Sequence, residues 1–147
     1  MFTNILVPTD GSGFSNKAVA TAARLAQSLR AKLLVLHVRS PIETPHHVEG
    51  GALSNLGGKA VMQEIEDEER RLLDAALEIA AADGVTAGTA FIAGYSPYEA
   101  IIRIAQEQHC DLIVMASHGR RGISGFLLGS ETQKLLTHTT IPVLIVR

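Results

Sequence analysis

The stretch DLIVMASHGRRGISGFLLGS, from Asp111 to Ser130, decides the fold. It opens on an apolar run, Asp111 to Ala116, that reads as a short strand buried on both faces. Small residues then recur in the pattern A-x2-G-x9-G-S, at Ala116, Gly119, Gly129 and Ser130. Small residues at a strand end let the backbone come close to a neighbour. The Gly129-Ser130 pair stands before a helical pattern, where uncommitted N–H groups and the positive end of the helix dipole attract anions. Strand, glycine-rich loop and helix start, in that order, imply a phosphate cradle at a strand tip.

Strand and helix patterns alternate on either side of this segment. NILVP (Asn4 to Pro8) is a strand stopped by Pro8, Thr9, Asp10 and Gly11. A helix is expected from Ser15 to Arg30, with Ala18, Val19, Ala22, Ala23, Leu25 and Ala26 on its buried face. KLLVLHV (Lys32 to Val38) is a second strand. Glu43 to Gly58, rich in Pro, His and Gly, reads as a loop without regular structure, and loops of that length are usually functional. A long helix is expected from Lys59 to Ala82, with i,i+4 pairs Glu66–Arg70 and Asp67–Arg71 and a stop at Asp83-Gly84. The remaining pattern is a strand from Val85 to Ala93, a helix from Ser96 to Gln108 with Ser96 as N-cap and Pro97 first, a helix from Ser130 to Thr137, and a strand from Ile141 to Val146. The sum is βαβαβαβαβ in one domain spanning residues 1–147. Continuous apolar strands argue for an α/β fold, a doubly wound parallel sheet covered by helices, with ligands beyond the carboxyl ends of the strands.

Composition narrows the function classes. The 147 residues carry 13 Lys and Arg against 15 Asp and Glu, a net charge of −2, which gives no basic field for nucleic acid and no anchor for a membrane. Trp is absent and aromatics make up 4%, so base-stacking platforms are not expected. Cys110 is the single cysteine and fits a reducing compartment. Met1 to Pro8 has neither the basic region nor the apolar length of a secretion signal, and no run reaches membrane-spanning length. A cytoplasmic location is the expectation.

Familiar phosphate motifs are missing. The pattern G-x-x-x-x-G-K-[ST] does not occur. Gly11-Ser-Gly13 starts like a dinucleotide fingerprint, but Asn16 stands where the third glycine belongs, and His37-Val38-Arg39 ends the second strand without an acidic residue. PTDGS (Pro8 to Ser12) suits a ribose-binding Asp10, and suits an ordinary turn equally well. Ser130 and Gln133 have the spacing of a capping box, which needs no ligand. His37, His46, His47, His109 and His138 form no recognised ligand pair, and no metal site is assigned. His118 lies inside the cradle, either to touch a ligand or to shape the turn.

The whole chain, from PTDGS to the terminal PVLIV, resembles the universal stress protein family. The nucleotide-binding branch of that family carries G-x2-G-x9-G-[ST] after its fourth strand. Gly119, Gly129 and Ser130 match, and Ala116 departs from the first glycine. The resemblance implies a five-stranded sheet in the order 3-2-1-4-5, the Rossmann-like sandwich of the adenine-nucleotide α-hydrolases. It implies ATP as ligand, with a Mg or Mn ion riding on the phosphates. Pro8, Thr9 and Asp10 would lie at base and ribose, and Val38 at the adenine. Ala116, Ser117, His118, Gly119 and Arg120 would run past the ribose and phosphates, and Gly129, Ser130, Glu131 and Thr132 would hold the phosphates. A Cβ at position 116 costs little in ordinary backbone and roughly 1–2 kcal/mol in a left-handed one. Glu131 would repel phosphates unless turned away, whereas Arg120 and Arg121 would attract them. The resemblance also implies a homodimer joined through the strand Ile141 to Val146, acting as a regulatory module on an unknown protein partner. Two alternatives stay open: a slow ATP hydrolase, using Arg120 or Arg121 for charge and Asp10 or His118 to orient water, and a dimeric scaffold without nucleotide.

Overall fold

The computed structural model describes residues 1–40, 54–94, 96–119 and 127–147. Five parallel strands form one sheet: β1 (Asn4–Pro8), β2 (Lys32–Arg39), β3 (Gly88–Ala93), β4 (Leu112–Ala116) and β5 (Val143–Val146), in the order β3-β2-β1-β4-β5. Helices α1 (Gly13–Leu29), α2 (Ser54–Ala82), α3 (Pro97–Glu107) and α4 (Ser130–His138) connect them. The order 3-2-1-4-5 expected from the family resemblance is the order observed.

Alternation along the central strands separates two cores. Ile5 and Val7 of β1, with Val35 and Val114, face α1 and α2; the alanines of α1 (Ala18, Ala22, Ala23, Ala26) let that helix lie close against them. Leu6, Leu36 and Ile113 face the other way, onto Ile101 and Ala105 of α3 and Leu135 of α4. Burial on both faces is why these strands lack an alternating polar pattern. The chain reverses its winding between β1 and β4, whose register pairs Ile5 with Leu112 and Leu6 with Ile113. Their carboxyl ends diverge into α1 and α4, and a crevice opens there.

The element boundaries correct several expectations. The long helix begins at Ser54, not Lys59, so the end of the expected Glu43–Gly58 loop is helical; residues 43–53, including His46 and His47, lie outside the described residues. Gly57 and Gly58 open onto free space, so the α2 packing farther along can carry them into the helix. Along α2, Arg70 meets Asp67 at i,i+3 (4.0 Å) in place of the i,i+4 pairs. β3 starts at Gly88 because residues 85–87 are used in leaving the helix: Val85 N–H donates to Ala80 O while Gly84, at φ +74°, reverses the chain. α1 starts at Gly13, capped by the Ser12 hydroxyl, which accepts the Ser15 N–H at 3.2 Å.

Candidate functional site

The turn after β1 is built from its own side chains. Ser12 N–H donates to Asp10 Oδ1 (2.9 Å) and Gly11 N–H to Thr9 Oγ1 (3.2 Å), with Gly11 at φ +76°. A left-handed residue at that point favours glycine. Thr9 is held on every side: its N–H donates to Leu36 O, its hydroxyl meets Ser15 Oγ at 3.0 Å, and its carbonyl accepts the His37 Nδ1–H at 2.9 Å. The turn that sequence leaves open between ordinary turn and ribose site is thus a fixed turn that presents Asp10.

The segment after β4 folds back onto the tip of its own strand. Gly129 N–H donates to Ser117 O (2.8 Å) and the buried Thr132 hydroxyl donates to Ala116 O (3.1 Å). His118 links the two ends of the loop: Nε2–H donates to Leu127 O and Nδ1 accepts from the Ser117 hydroxyl. Both ring nitrogens are therefore engaged in shaping the turn. Ala116 of β4 pairs with Val146 of β5, and no left-handed backbone occurs there, so its Cβ carries no conformational cost. Ser117 is buried beneath the crevice and braces it without lining it.

The capping box expected at Ser130 is corrected. Gly129 occupies the N-cap position, Ser130 is the first helical residue, and the Gln133 side chain donates to Leu128 O. Glycine at 129 suits a crowded position, where a Cβ would lie 3.2 Å from Ser117 O and 3.5 Å from His118 Cα. The N–H groups of Ser130, Glu131 and Thr132 have no partner within the helix and point beyond its start. Glu131 turns sideways to a neighbouring helix: Oε2 accepts the Tyr98 N–H (3.1 Å) and Oε1 the Lys134 ammonium (3.0 Å). That contact explains why Ser96, extended at the N-cap position of α3, makes no side-chain cap. The Glu131 hydrogen bond also raises the Lys134 pKa, which keeps the ammonium charged.

These elements enclose a cleft of about 570 Å³ at the carboxyl ends of β1, β2 and β4. Of the residues assigned from sequence, Pro8, Thr9, Asp10, Val38, Ala116, His118, Gly119, Gly129, Ser130, Glu131 and Thr132 line it. Arg120, like Arg121, lies outside the described residues. Ser15, Ser40, Met115, Pro97 and Ile101 also line the cleft and carry no motif; Pro97 and Ile101 form its far wall because α3 packs across β2. The described lining holds two carboxylates, Asp10 and Glu131, and neither Lys nor Arg. Among the described residues no group of His, Cys, Asp or Glu is arranged to hold a metal ion, and no helix is long and apolar enough to cross a membrane. Cys110 is buried away from the cleft, and burial followed by the Asp111 charge pushes its thiol up to about 11.

Comparison with known proteins agrees with this architecture. The model of the universal stress protein family matches residues 1–147. Universal stress protein YxiE of Bacillus subtilis is 36% identical over 149 residues, covering 100% of both chains. A universal stress protein crystallised in complex with cAMP superposes with a TM-score of 0.72 at 26% identity, covering 99% of this chain and 97% of that one. UspA from Lactobacillus plantarum shares the fold with a TM-score of 0.79 at 24% identity, over 99% and 98% of the two chains. A family match along the entire chain, together with a near full-length relative above 30% identity, makes this protein a member of the universal stress protein family.

Proposed function

We propose that the cleft binds an adenine nucleotide and that binding makes the protein a regulatory module of the stress response. The observation that carries this is the meeting of Asp10 and Gly119 across the tips of β1 and β4, beside the open N-terminus of α4. A carboxylate suits ribose hydroxyls, a helix start suits phosphate, and Val38 with Ile101 supplies apolar walls for a base. The cAMP complex of a relative supports the same ligand class.

ATP is the proposed ligand, accompanied by Mg or Mn, because two carboxylates in the described lining call for a counter-charge on the phosphates. Arg120 is proposed as a further phosphate contact. Dimerisation is proposed through β5, an edge strand of the sheet whose Leu144 is exposed, paired with a second copy in a cytoplasmic homodimer. Engagement of both His118 nitrogens argues against its orienting water, and so favours binding over hydrolysis.

Native mass spectrometry of the purified protein, followed by calorimetry with ATP and Mg, tests the proposal. A bound adenine nucleotide or saturable heat is expected; neither signal at millimolar ATP overturns it. The mass of the same sample reads the dimer.

A further inference from the structure

We infer that Glu131 is a specificity-determining residue of the cleft, setting a penalty that grows with the negative charge of the ligand's phosphates. This rests on the nucleotide reading above and names which members of that class the site favours.

Glu131 is the second residue of α4 and lines the cleft at the end where the N–H groups of Ser130, Glu131 and Thr132 emerge, its carboxylate turned toward the start of α3. Those donors attract a phosphate, and a fixed negative charge beside them opposes each further one. The carboxylate cannot simply swing away. Oε2 caps α3 through the Tyr98 N–H, a duty that Ser96, making no side-chain cap, leaves to it. Oε1 is held by Lys134, one turn along the same helix. Lys134 also lies 5.9 Å from the centre of the Tyr98 ring, so α3, α4 and the ion pair form one assembly. The ammonium offsets the carboxylate in part, because the pair is a third to half exposed and screened by water. The net result is a polar wall whose cost to a bound ligand rises with each phosphate charge that no metal ion neutralises.

Two substitutions separate this from a structural role. Glu131→Gln keeps an oxygen to accept the Tyr98 N–H and removes only the charge. Lys134→Ala leaves the carboxylate uncovered. Affinities for cAMP, AMP, ADP and ATP, measured by calorimetry in EDTA, give for each protein a slope of log Kd against ligand charge. A flatter slope is expected for Glu131→Gln, with ATP gaining about fivefold or more while cAMP moves less than twofold. A steeper slope is expected for Lys134→Ala, and added salt brings the three slopes together. Parallel slopes in all three proteins overturn the inference while leaving nucleotide binding intact. Absence of binding by every nucleotide to all three proteins overturns the nucleotide reading, and the inference with it.

Discussion

A Cβ built on Gly119 would stand 2.8 Å from Oδ2 of Asp10, closer than real Cβ contacts come. Two residues separated by most of the chain thus lie side by side across the β1/β4 switch point, and a side chain at position 119 would have to displace the Asp10 carboxylate. Gly119→Ala is expected to push the Asp10 side chain out of the position in which Oδ1 accepts the Ser12 N–H. The fold should survive, since the colliding atom is the end of a side chain. Adenine-nucleotide affinity should fall about tenfold or more, equivalent to about 1.4 kcal/mol. Calorimetry on Gly119→Ala, Asp10→Ala and the double variant checks this. A double variant no weaker than Asp10→Ala alone is expected, because both substitutions act through one carboxylate.

Thr132 makes a separate prediction. Its hydroxyl is buried and donates to Ala116 O, the contact that seats α4 on the tip of β4. Thr132→Val leaves that carbonyl without its partner and should destabilise the protein by about 1–3 kcal/mol. Thr132→Ser keeps the hydroxyl and should recover most of the loss. Urea unfolding midpoints at constant m-value measure both.

The fold was legible because every central strand is an uninterrupted apolar run, as in Ile5–Val7 and Ile113–Val114, buried on both faces. The cradle was legible because Gly119 and Gly129 stand where a Cβ would crowd Asp10 and Ser117, and such crowding leaves glycines at a fixed spacing. What sequence concealed depends on tertiary neighbours. Ser130 and Gln133 have capping-box spacing, yet Gly129 takes the N-cap because its N–H is pinned to Ser117 O. Nothing local to Glu131 tells that it caps a helix packed beside its own. Ile101 and Met115 read as core residues, and only the packing of α3 across the sheet brings them to the cleft. The start of α2 at Ser54 was hidden by Gly57 and Gly58, whose local preference is against helix.

Arg30 and Gly84 should respond to substitution with opposite signs. Arg30 ends α1 in the left-handed region (φ 56°, ψ 35°), with its N–H donating to Ala26 O and Gln27 O. A side chain in that conformation costs about 1 kcal/mol relative to glycine. Arg30→Gly should therefore raise stability by up to about 1 kcal/mol, the gain being reduced by the freer unfolded chain. Gly84, at φ +74°, already has the favoured residue. A Cβ there would meet Gln27 Nε2 at an ordinary 3.5 Å, so Gly84→Ala should lose about 1 kcal/mol through backbone conformation and not through a clash. Thermal midpoints of the two variants against the parent decide the signs.

Asp111 ties the start of β1 to the start of β4, and this makes the fold acid-sensitive. Its carboxylate accepts the Thr3 N–H (2.8 Å), the Asn4 N–H (2.9 Å) and the Thr3 hydroxyl (2.8 Å). Partial burial pushes its pKa up, but the hydrogen bonds from Asn4 and Thr3 together outweigh burial and hold it below the ordinary carboxylate value. A carboxyl with a lower pKa folded than unfolded contributes its stabilisation in full above the unfolded pKa of about 3.9. That contribution declines as pH falls from there through the folded pKa, where the proton displaces the accepted hydrogen bonds. Asp111→Asn, which carries no titrating charge, should be less stable than the parent by about 1 kcal/mol at neutral pH. The gap between the two should close below about pH 4. Urea unfolding of both proteins between neutral and strongly acidic pH measures the gap, and a constant difference across that range would show that the Asp111 charge contributes nothing to holding β1 against β4.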